Sequence, residues 1–220
     1  MNINKIKSVL NTSGGLASPC HYICNISAPN AFLDEGKINE IVEGGSEVVA
    51  PLIGLSSRQI SLLAESTTIP GRQLSTQEHR IFGTTRKMPY GVLYDDLTVN
   101  FICTNSMLER TFFDIWHQFI ISPGSQYMEY YTDYVSTITI TKLDNSISPI
   151  SKIGSRLSTY TLEEAYPVSI QSQEIGYDKT DQYLSLTIQF AYSKWKCTLD
   201  KIFPGDPNVT SPFSVLDEKF

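Results

Sequence analysis

The side chains that could do chemistry in this sequence are its cysteines, its histidines and two pairs of adjacent acids. Cys20, His21 and Cys24 lie close together, and such a cluster can supply part of a zinc site. A structural zinc site needs a second pair of ligands, whereas Cys103 and Cys197 are single and far apart in the sequence. We therefore interpret the thiols as buried side chains, and we expect neither a metal nor any other cofactor.

The acid pairs, Asp95–Asp96 and Glu163–Glu164, could in principle share a metal ion or a proton. Neighbouring residues in a strand point to opposite faces of a sheet, so each pair would be a poor chelate. The sequence has no Walker loop, no dinucleotide-binding glycine motif and no Gly-x-Ser-x-Gly elbow. We predict a protein that is not an enzyme. A hydrolase with an acid pair assembled by the fold is the weakest of the alternatives.

The composition limits the class of protein. A chain of 220 residues with 41% hydrophobic and 18% charged residues is typical of one folded domain. The net charge of −6 argues against a protein that grips nucleic acid, because such proteins cluster Lys and Arg against phosphates. The apolar stretches are too short to cross a bilayer, and the first ten residues lack a signal-peptide core, so we expect cytosolic synthesis and no membrane anchor.

Strands must position most of these side chains. Apolar residues alternate with polar ones in the second half of the sequence, most clearly at 97–103, 135–141 and 183–195, and this pattern predicts antiparallel strands with one buried face. The sequence thus predicts a mainly β domain. Further strands are predicted at 22–27, 59–66, 80–84, 160–164 and 168–176.

One helix interrupts the strands. Ser106 and Glu109 form a predicted capping box at its start, and a Ser-Pro-Gly sequence at 122–124 predicts its end. Apolar side chains between these points fall on one helical stripe, which predicts a core helix that packs across an open sheet. The residues of this stripe are Leu108, Phe112, Ile115, Trp116 and Phe119.

We assign residues 1–196 to the β domain and residues 197–220 to an extended, proline-rich C-terminal tail. Glycine and proline recur at 29–57, which predicts a long irregular loop within the domain. Charge is also uneven, since a basic stretch is followed by acidic groups. One interpretation is complementary surfaces between neighbouring subunits, whereas composition alone favours ordinary surface charge. The candidate interface residues are Arg72, Arg80, Arg86, Lys87, Asp95, Asp96, Glu163 and Glu164.

Six short segments, in this order along more than half of the chain, resemble the T4-type tail tube family of contractile bacteriophages, which includes related baseplate tube-initiator proteins. They are 68–71 (TIPG), 94–101 (YDDLTVNF), 109–116 (ERTFFDIW), 130–135 (YYTDYV), 165–170 (AYPVSI) and 186–192 (LTIQFAY) with Trp195. The resemblance implies two packed antiparallel sheets, or a partly open β-barrel, with one flanking α-helix. It also implies a homohexameric ring whose strands line one continuous channel.

The resemblance further implies the partners of such a ring. The rings would stack into a tube around a tape-measure protein, start on baseplate tube-initiator proteins and be surrounded by the tail sheath protein. The tube would be assembled in the host cytoplasm, become part of the virion, and pass DNA only in transit through its lumen. From the Ser, Thr and Gln faces of the long strands and the acidic composition, we expect a wet and mildly acidic lining.

Two other functions stay open at this point. A baseplate tube initiator would show the same motifs as the main tube subunit. A monomeric β-sandwich that binds carbohydrate or protein would instead need an exposed aromatic platform. The residues that could form this platform are Tyr127, Tyr130, Tyr131 and Tyr134.

Overall fold

The computed structural model describes residues 3–12, 16–29, 57–80, 82–122, 124, 126–143, 156–178 and 181–199. These ranges contain four helices: α1 (Ile3–Thr12), α2 (Ser57–Leu62), α3 (Leu108–Ile120) and α4 (Tyr131–Tyr134). They contain nine strands: β1 (Tyr22–Ile26), β2 (Ala64–Thr67), β3 (Gln73–His79), β4 (Arg86–Leu93), β5 (Leu97–Ile102), β6 (Ser136–Leu143), β7 (Arg156–Ile170), β8 (Ser185–Ala191) and β9 (Lys194–Leu199).

Seven of the strands form two antiparallel sheets that share β7. In the first sheet the order is β1-β6-β7-β9, and in the second it is β7-β8-β5-β2. The first part of β7 pairs with β6 and β9, and its last five residues, 166–170, pair with β8. The predicted fold class, a mainly β protein with packed antiparallel sheets, is confirmed.

The strand β7 changes sheets at a β-bulge around Glu164. Leu162 pairs with Ile138 and Ala165 with Ser136, so β7 holds one residue more than β6 in this interval. Glu164 has φ 57, a left-handed conformation that costs a residue with a side chain about 1–2 kcal/mol. The bulge bends the strand and increases its twist, which is how one strand can serve two sheets.

The inner faces of the two sheets and one side of α3 enclose the main core, and Phe119 of α3 forms a smaller cluster with Tyr134. Alternate residues of β5 and β8 are buried, as are their counterparts on β6 and β7. The rings of Phe113 and Trp116 on α3 stack 6.3 Å apart, and both pack against Phe190 of β8. The residues of the predicted stripe are buried, except for half-buried Leu108. The helix therefore fills the space between the sheets.

The start of α3 differs from the predicted capping box. The helix begins at Leu108, Met107 is its N-cap with φ 55, and no side chain caps it. Glu109 is only 2% exposed, and its carboxylate accepts hydrogen bonds from the Thr104 backbone N–H at 3.2 Å and the Thr104 hydroxyl at 2.8 Å. Because the buried carboxylate serves the turn before the helix, the Ser106–Glu109 capping box does not form.

Several predicted strands have different bounds or a different structure. Residues 59–66 divide into the end of α2 and β2, because Ile60 is buried through a helical turn and the Ser61 hydroxyl accepts a hydrogen bond from the Ile26 N–H of β1. The prediction of a strand at 80–84 is wrong. Gly83 has φ 80 and lies in the connection between β3 and β4, where a strand cannot continue.

Two further predictions failed at the change of sheet. The segments 160–164 and 168–176 were predicted as separate strands, but the residues up to Ile170 form one strand, because the bulge interrupts the alternation without ending the pairing. The alternation at 183–195 spans two strands, β8 and β9, which belong to different sheets. The strand β9 runs three residues into the predicted tail, and residues 200–220 of that tail lie outside the described ranges.

Most of the predicted loop at 29–57 also lies outside the described residues. In the part of the chain that the structure describes, no helix has both the length and the apolar character that a membrane crossing needs.

We expect the core aromatic residues to carry much of the stability. Replacing Phe113, which is 0% exposed, with Ala should lower the free energy of unfolding by about 3–5 kcal/mol, because it leaves a cavity between α3 and β8. Phe82 is 100% exposed, so Phe82→Ala should change the same quantity by less than about 0.5 kcal/mol. Urea unfolding of dilute monomer, followed by circular dichroism, measures both. Equal effects would contradict this description of the core.

Candidate assembly surface

The strands β3 and β4 form a separate two-stranded sheet, which we call the β-arm. Its register runs from Gln73 opposite Leu93 to His79 opposite Arg86. A bulge between Ser75 and Thr76 interrupts the ladder. All the residues of the two strands are exposed except half-buried Ser75 and Gly91. The arm therefore extends from the domain and does not add to the core.

The β-arm carries apolar side chains that the described part of its own chain does not cover. These residues are 46–74% exposed, and they belong to a ribbon of two strands, which is marginally stable in water at best. They are Leu74, Met88, Tyr90, Val92 and Leu93. Such an arm needs a surface to pack against.

Five of the eight predicted charged residues lie at the two ends of the β-arm. Arg80, Arg86 and Lys87 are exposed at its tip, and Asp95 and Asp96 are exposed where it joins β5. Six steps along an antiparallel strand span about 20 Å. This distance is about twice the screening length at physiological salt, so the acids at the base do little to neutralise the tip of the same copy.

The other three interface candidates have contacts within the chain. The Arg72 guanidinium carbon lies 4.7 Å from the centre of the Trp195 ring. Glu163 pairs with Lys194 at 3.2 Å and with Lys196 at 3.0 Å. Glu164 accepts a hydrogen bond from the Tyr131 hydroxyl at 3.2 Å. The structure thus separates five charges at the ends of the arm from three that contact other residues of their own chain.

The outer face of the second sheet is mainly polar. Along β2, β5, β8 and residues 166–170 of β7, the one charged residue is the exposed Glu65 of β2, which accepts a hydrogen bond from the Tyr183 hydroxyl. Thr187 donates a hydrogen bond from its hydroxyl to Asn100 Oδ1 at 2.7 Å, and Asn100 Nδ2 donates to the Ser66 hydroxyl at 2.8 Å. Thr98 lies opposite Gln189, which in turn lies opposite Ser169. These hydroxyl and amide groups continue across β2, β5, β8 and the end of β7.

The outer face of the first sheet has a different character. Threonines line it on β6, β7 and β9, and the hydroxyls of Thr141 and Thr159 lie 3.5 Å apart. The ion pairs of Glu163 with Lys194 and Lys196 lie at one end of this face. The two sheets therefore differ in charge: the described strands of the second carry Glu65 alone, whereas the first carries an acid paired with two lysines.

The tyrosine cluster does not form a single platform. Tyr134 is 7% exposed, and its ring packs edge-on against those of Tyr131 and Tyr166, each at 5.5 Å. Burial, followed by the hydrogen bond to Glu164, raises the pKa of Tyr131 to about 12. Only Tyr127 and Tyr130 are strongly exposed within the cluster. The arrangement joins α4 to β7, so at least Tyr134 is removed from the predicted platform.

The cysteines and histidines are dispersed. Cys20 is exposed, while Cys24 is 2% exposed, and burial raises the pKa of its thiol to about 12. Burial lowers the pKa of His117 on α3. Among the described residues, no three His, Cys, Asp or Glu side chains are grouped so that they could hold a metal ion.

Sequence reasoning missed the role of the aromatic residues at the base of the β-arm. The sequence marks Tyr94, Tyr192 and Trp195 as parts of the family motifs and gives no sign of a shared contact. In the structure, the Tyr94 and Trp195 rings lie against Arg72, and the Tyr94 ring also packs against Tyr192. Their separation in the sequence gave no signal of this contact, because β8 and β9 bring Tyr192 and Trp195 back to the arm only in the folded chain.

Comparison with known proteins gives one family. The family described as phage tail tube protein matches residues 17–198. No curated protein sequence matches the chain.

Solved structures with a similar fold come from contractile assemblies. A chain from the sheath–tube complex of the extracellular contractile injection system PVC, in its extended state, is 12% identical. The match covers 90% of this chain and 99% of that one, with a TM-score of 0.53. A chain from the baseplate of the anti-feeding prophage is 17% identical, and that match covers 63% and 83%, with a TM-score of 0.48. At 12% identity, the similarity to the PVC chain shows a shared fold alone.

The Glu163 ion pairs predict a pH-dependent stability. Hydrogen bonds from Lys196, and then from Lys194, hold the pKa of Glu163 below its usual value against an opposing effect of burial. This stabilisation is present above the pKa of the unfolded chain and is lost as the pH falls through the folded pKa. Because both lysines are about half exposed, Glu163→Gln should lower the free energy of unfolding at neutral pH by less than about 1 kcal/mol.

Urea unfolding across a pH series measures this effect. The difference between Glu163→Gln and the unmodified protein should shrink as the pH falls through the lowered pKa of the folded state and vanish once the carboxyl is protonated in both states. Glu129→Gln, the same change at an exposed site, should have no effect at any pH. A Glu163 difference that did not depend on pH would rule out the ion pairs as its cause.

Proposed function

We propose, because this chain belongs to the phage tail tube protein family, that it is the main structural subunit of a contractile tail tube, and that it is not an enzyme. The observation that carries the proposal is the β-arm, whose apolar side chains remain uncovered by the described part of the chain. A second copy would cover them. In this role the subunits close into homohexameric rings, and the rings stack into a tube.

Open strand edges support association between copies. The strands β1 and β2 end the strand path of the two sheets, so each has one edge without a strand partner among the described residues. Exposed edges promote pairing with other chains, and a closed ring removes this liability by pairing each edge with a neighbour. A closed ring would therefore pair the exposed strand edges of this domain.

Charge supports a head-to-tail contact. The basic tip of one β-arm, at Arg80, Arg86 and Lys87, would lie on the acidic base of a neighbouring arm, at Asp95 and Asp96. Such a contact uses two different surfaces of each copy, which is the condition for a ring or a stack. Opposite charges at its two ends would also favour the correct register of the copies.

The lumen in this proposal is lined by the outer face of the second sheet. Its hydroxyl and amide groups hydrate well, and no described residue of its strands presents a positive charge that would bind phosphate. We therefore keep the expectation of a mildly acidic lining, to which the exposed carboxylate of Glu65 on β2 contributes. DNA would cross such a surface in transit without being held.

The remaining partners follow from this position. The charged outer face of the first sheet would lie toward the tail sheath protein, and the lumen would hold a tape-measure protein before ejection. Baseplate tube-initiator proteins would provide the first ring. The subunit would be assembled in the host cytoplasm and would remain in the tail of the virion, with no attachment to a membrane.

We expect the purified protein to form six-fold rings or hollow tubes at high concentration, visible by negative-stain electron microscopy. The double substitution Arg86→Glu with Lys87→Glu should abolish them by placing acid against acid. Adding Asp95→Lys and Asp96→Lys to the same chain should restore them, because the attraction returns with its sign reversed.

Each outcome of this experiment decides a different point. A wild-type protein that stays monomeric at the highest soluble concentration would overturn the assignment as main tube subunit. Single rings that do not elongate would favour a baseplate tube initiator. Failure of the fourfold variant, with assembly of the wild type, would reject the contact between the arm tip and the arm base.

The lumen assignment predicts which face is shielded in a tube. In a background with Cys20, Cys103 and Cys197 replaced by Ser, Thr98→Cys on the second sheet should react in tubes with a small maleimide. It should not react with a polyethylene-glycol maleimide that is too large to enter the lumen. Thr161→Cys, on the outer face of the first sheet, should react with both reagents. Dissociated subunits, in which both thiols should react with both reagents, are the control. The reverse pattern in tubes would place the first sheet in the lumen.

A further inference from the structure

An arginine lies between two aromatic rings at the base of the β-arm. The guanidinium carbon of Arg72 is 4.7 Å from the centre of the Trp195 ring and 5.8 Å from that of Tyr94. Arg72 precedes β3 by one residue, and Tyr94 follows β4 by one residue. The Arg72 side chain therefore connects the chain that enters the arm to the chain that leaves it and to β9.

Trp195 connects this group to the sheets. Its indole Nε1 donates a hydrogen bond to the Gly71 carbonyl at 3.2 Å, and its ring lies 5.8 Å from that of Tyr160 on β7. Tyr94 in turn lies 5.9 Å from Tyr192, which follows β8. The start of the arm is thus tied to β9, and its end to the segment between β8 and β9.

Three of the six family motifs meet at this point. Gly71 ends the TIPG segment, Tyr94 begins the next segment, and Tyr192 and Trp195 close the last one. None of these residues carries the apolar surface of the β-arm or the charges of its tip. Their convergence indicates a role at the arm base that differs from direct contact with a neighbouring copy.

We infer that Arg72, Tyr94 and Trp195 form a clamp that fixes the direction of the β-arm in the free subunit, so that it already points toward its site on a second copy. The inference rests on the proposed tube function and names the residues that prepare the subunit for it. Arg72 is thereby a positioning residue and not a contact residue of the interface.

The physical basis is the entropy of a hinge. Gly71 and the residues after β4 are the connections between the arm and the sheets, and the described strands of the arm pair with each other alone. If the arm moves about its two connections, its orientation must be fixed each time a copy binds, which costs conformational entropy. An arm that is already fixed in the free subunit does not pay this entropy on association. A guanidinium that contacts two aromatic faces has a preferred orientation toward each ring as well as a preferred distance from it. The two contacts therefore restrict the angle between the arm and the sheets.

The first measurement is the direction of the arm in the monomer. Spin labels are placed at Gln77→Cys on β3 and Gln118→Cys on α3, both exposed, after Cys20, Cys103 and Cys197 are replaced with Ser. Pulsed dipolar spectroscopy should give a narrow distance distribution for the unmodified clamp. Arg72→Ala should broaden it at least about twofold, and Arg72→Lys should broaden it less, because it keeps a cation but loses the planar group.

The second measurement is the concentration at which rings form, by sedimentation and electron microscopy. Arg72→Ala should raise it about tenfold without changing the midpoint of thermal unfolding, because the side chain is exposed and outside the core. Trp195→Phe, which keeps a ring but removes the hydrogen bond to Gly71, should act in the same direction more weakly. Lys7→Ala, an exposed cation on α1, is the control for loss of one charge.

The outcomes separate the clamp from the tube function. If the wild type forms no rings, the proposed function is rejected, and with it the role of the clamp in assembly. If the wild type forms rings, the clamp is rejected by an Arg72→Ala variant that assembles normally or keeps a narrow distance distribution. A broadened distribution with weakened assembly and unchanged thermal stability would support it.

Discussion

The architecture depends on the bend in β7. One strand of fifteen residues can pair with β6 and β9 and then with β8 only if it turns between the two sheets, and the bulge at Glu164 provides that turn. The left-handed backbone there is held by β6 on one side and by the Tyr131 hydroxyl on the Glu164 carboxylate. Without it, the inner faces of the sheets could not meet around one core.

The family motifs divide between two corners of the domain. At one corner, the Trp116 indole donates a hydrogen bond to the Tyr134 carbonyl at 2.9 Å, and the Tyr134 ring packs on Tyr166, which joins α3, α4 and β7. At the other corner, Trp195 and Tyr94 enclose Arg72 at the base of the β-arm. The first corner is buried and supports the fold. The second corner is exposed, and it lies where it can fix the direction of the β-arm.

The candidate functional surfaces are all extended. They are an uncovered arm, unpaired strand edges, and two outer sheet faces that differ in charge. A tube subunit must present several surfaces at once, because it contacts neighbours in its ring, the next ring, the lumen and the surroundings of the tube. A domain built from two sheets can meet this demand, since the core uses only the inner face of each sheet.

The sequence by itself determined the fold class, the core helix and the family. Strict alternation in β5, β6 and β8 identifies strands with one buried face, and these are the strands that the core requires. Prediction from the local sequence pattern failed at two residues whose role is set by contacts outside their own helix or strand pattern. At Glu164 the extra residue broke the alternation of a continuous strand, and at Glu109 a buried carboxylate bonded to the preceding turn and left the helix start uncapped.

Only the tertiary structure decided which of the eight candidate charges lie at the ends of the arm and which are bonded within the chain. Sequence placed Arg72 among basic residues and Glu163 among acidic ones. Their partners, Trp195 for the first and Lys194 and Lys196 for the second, come from a strand that is distant in the sequence from Arg72 and adjacent to Glu163 only through sheet pairing. Long-range pairing leaves no local periodicity, so these contacts had to be seen in the folded chain.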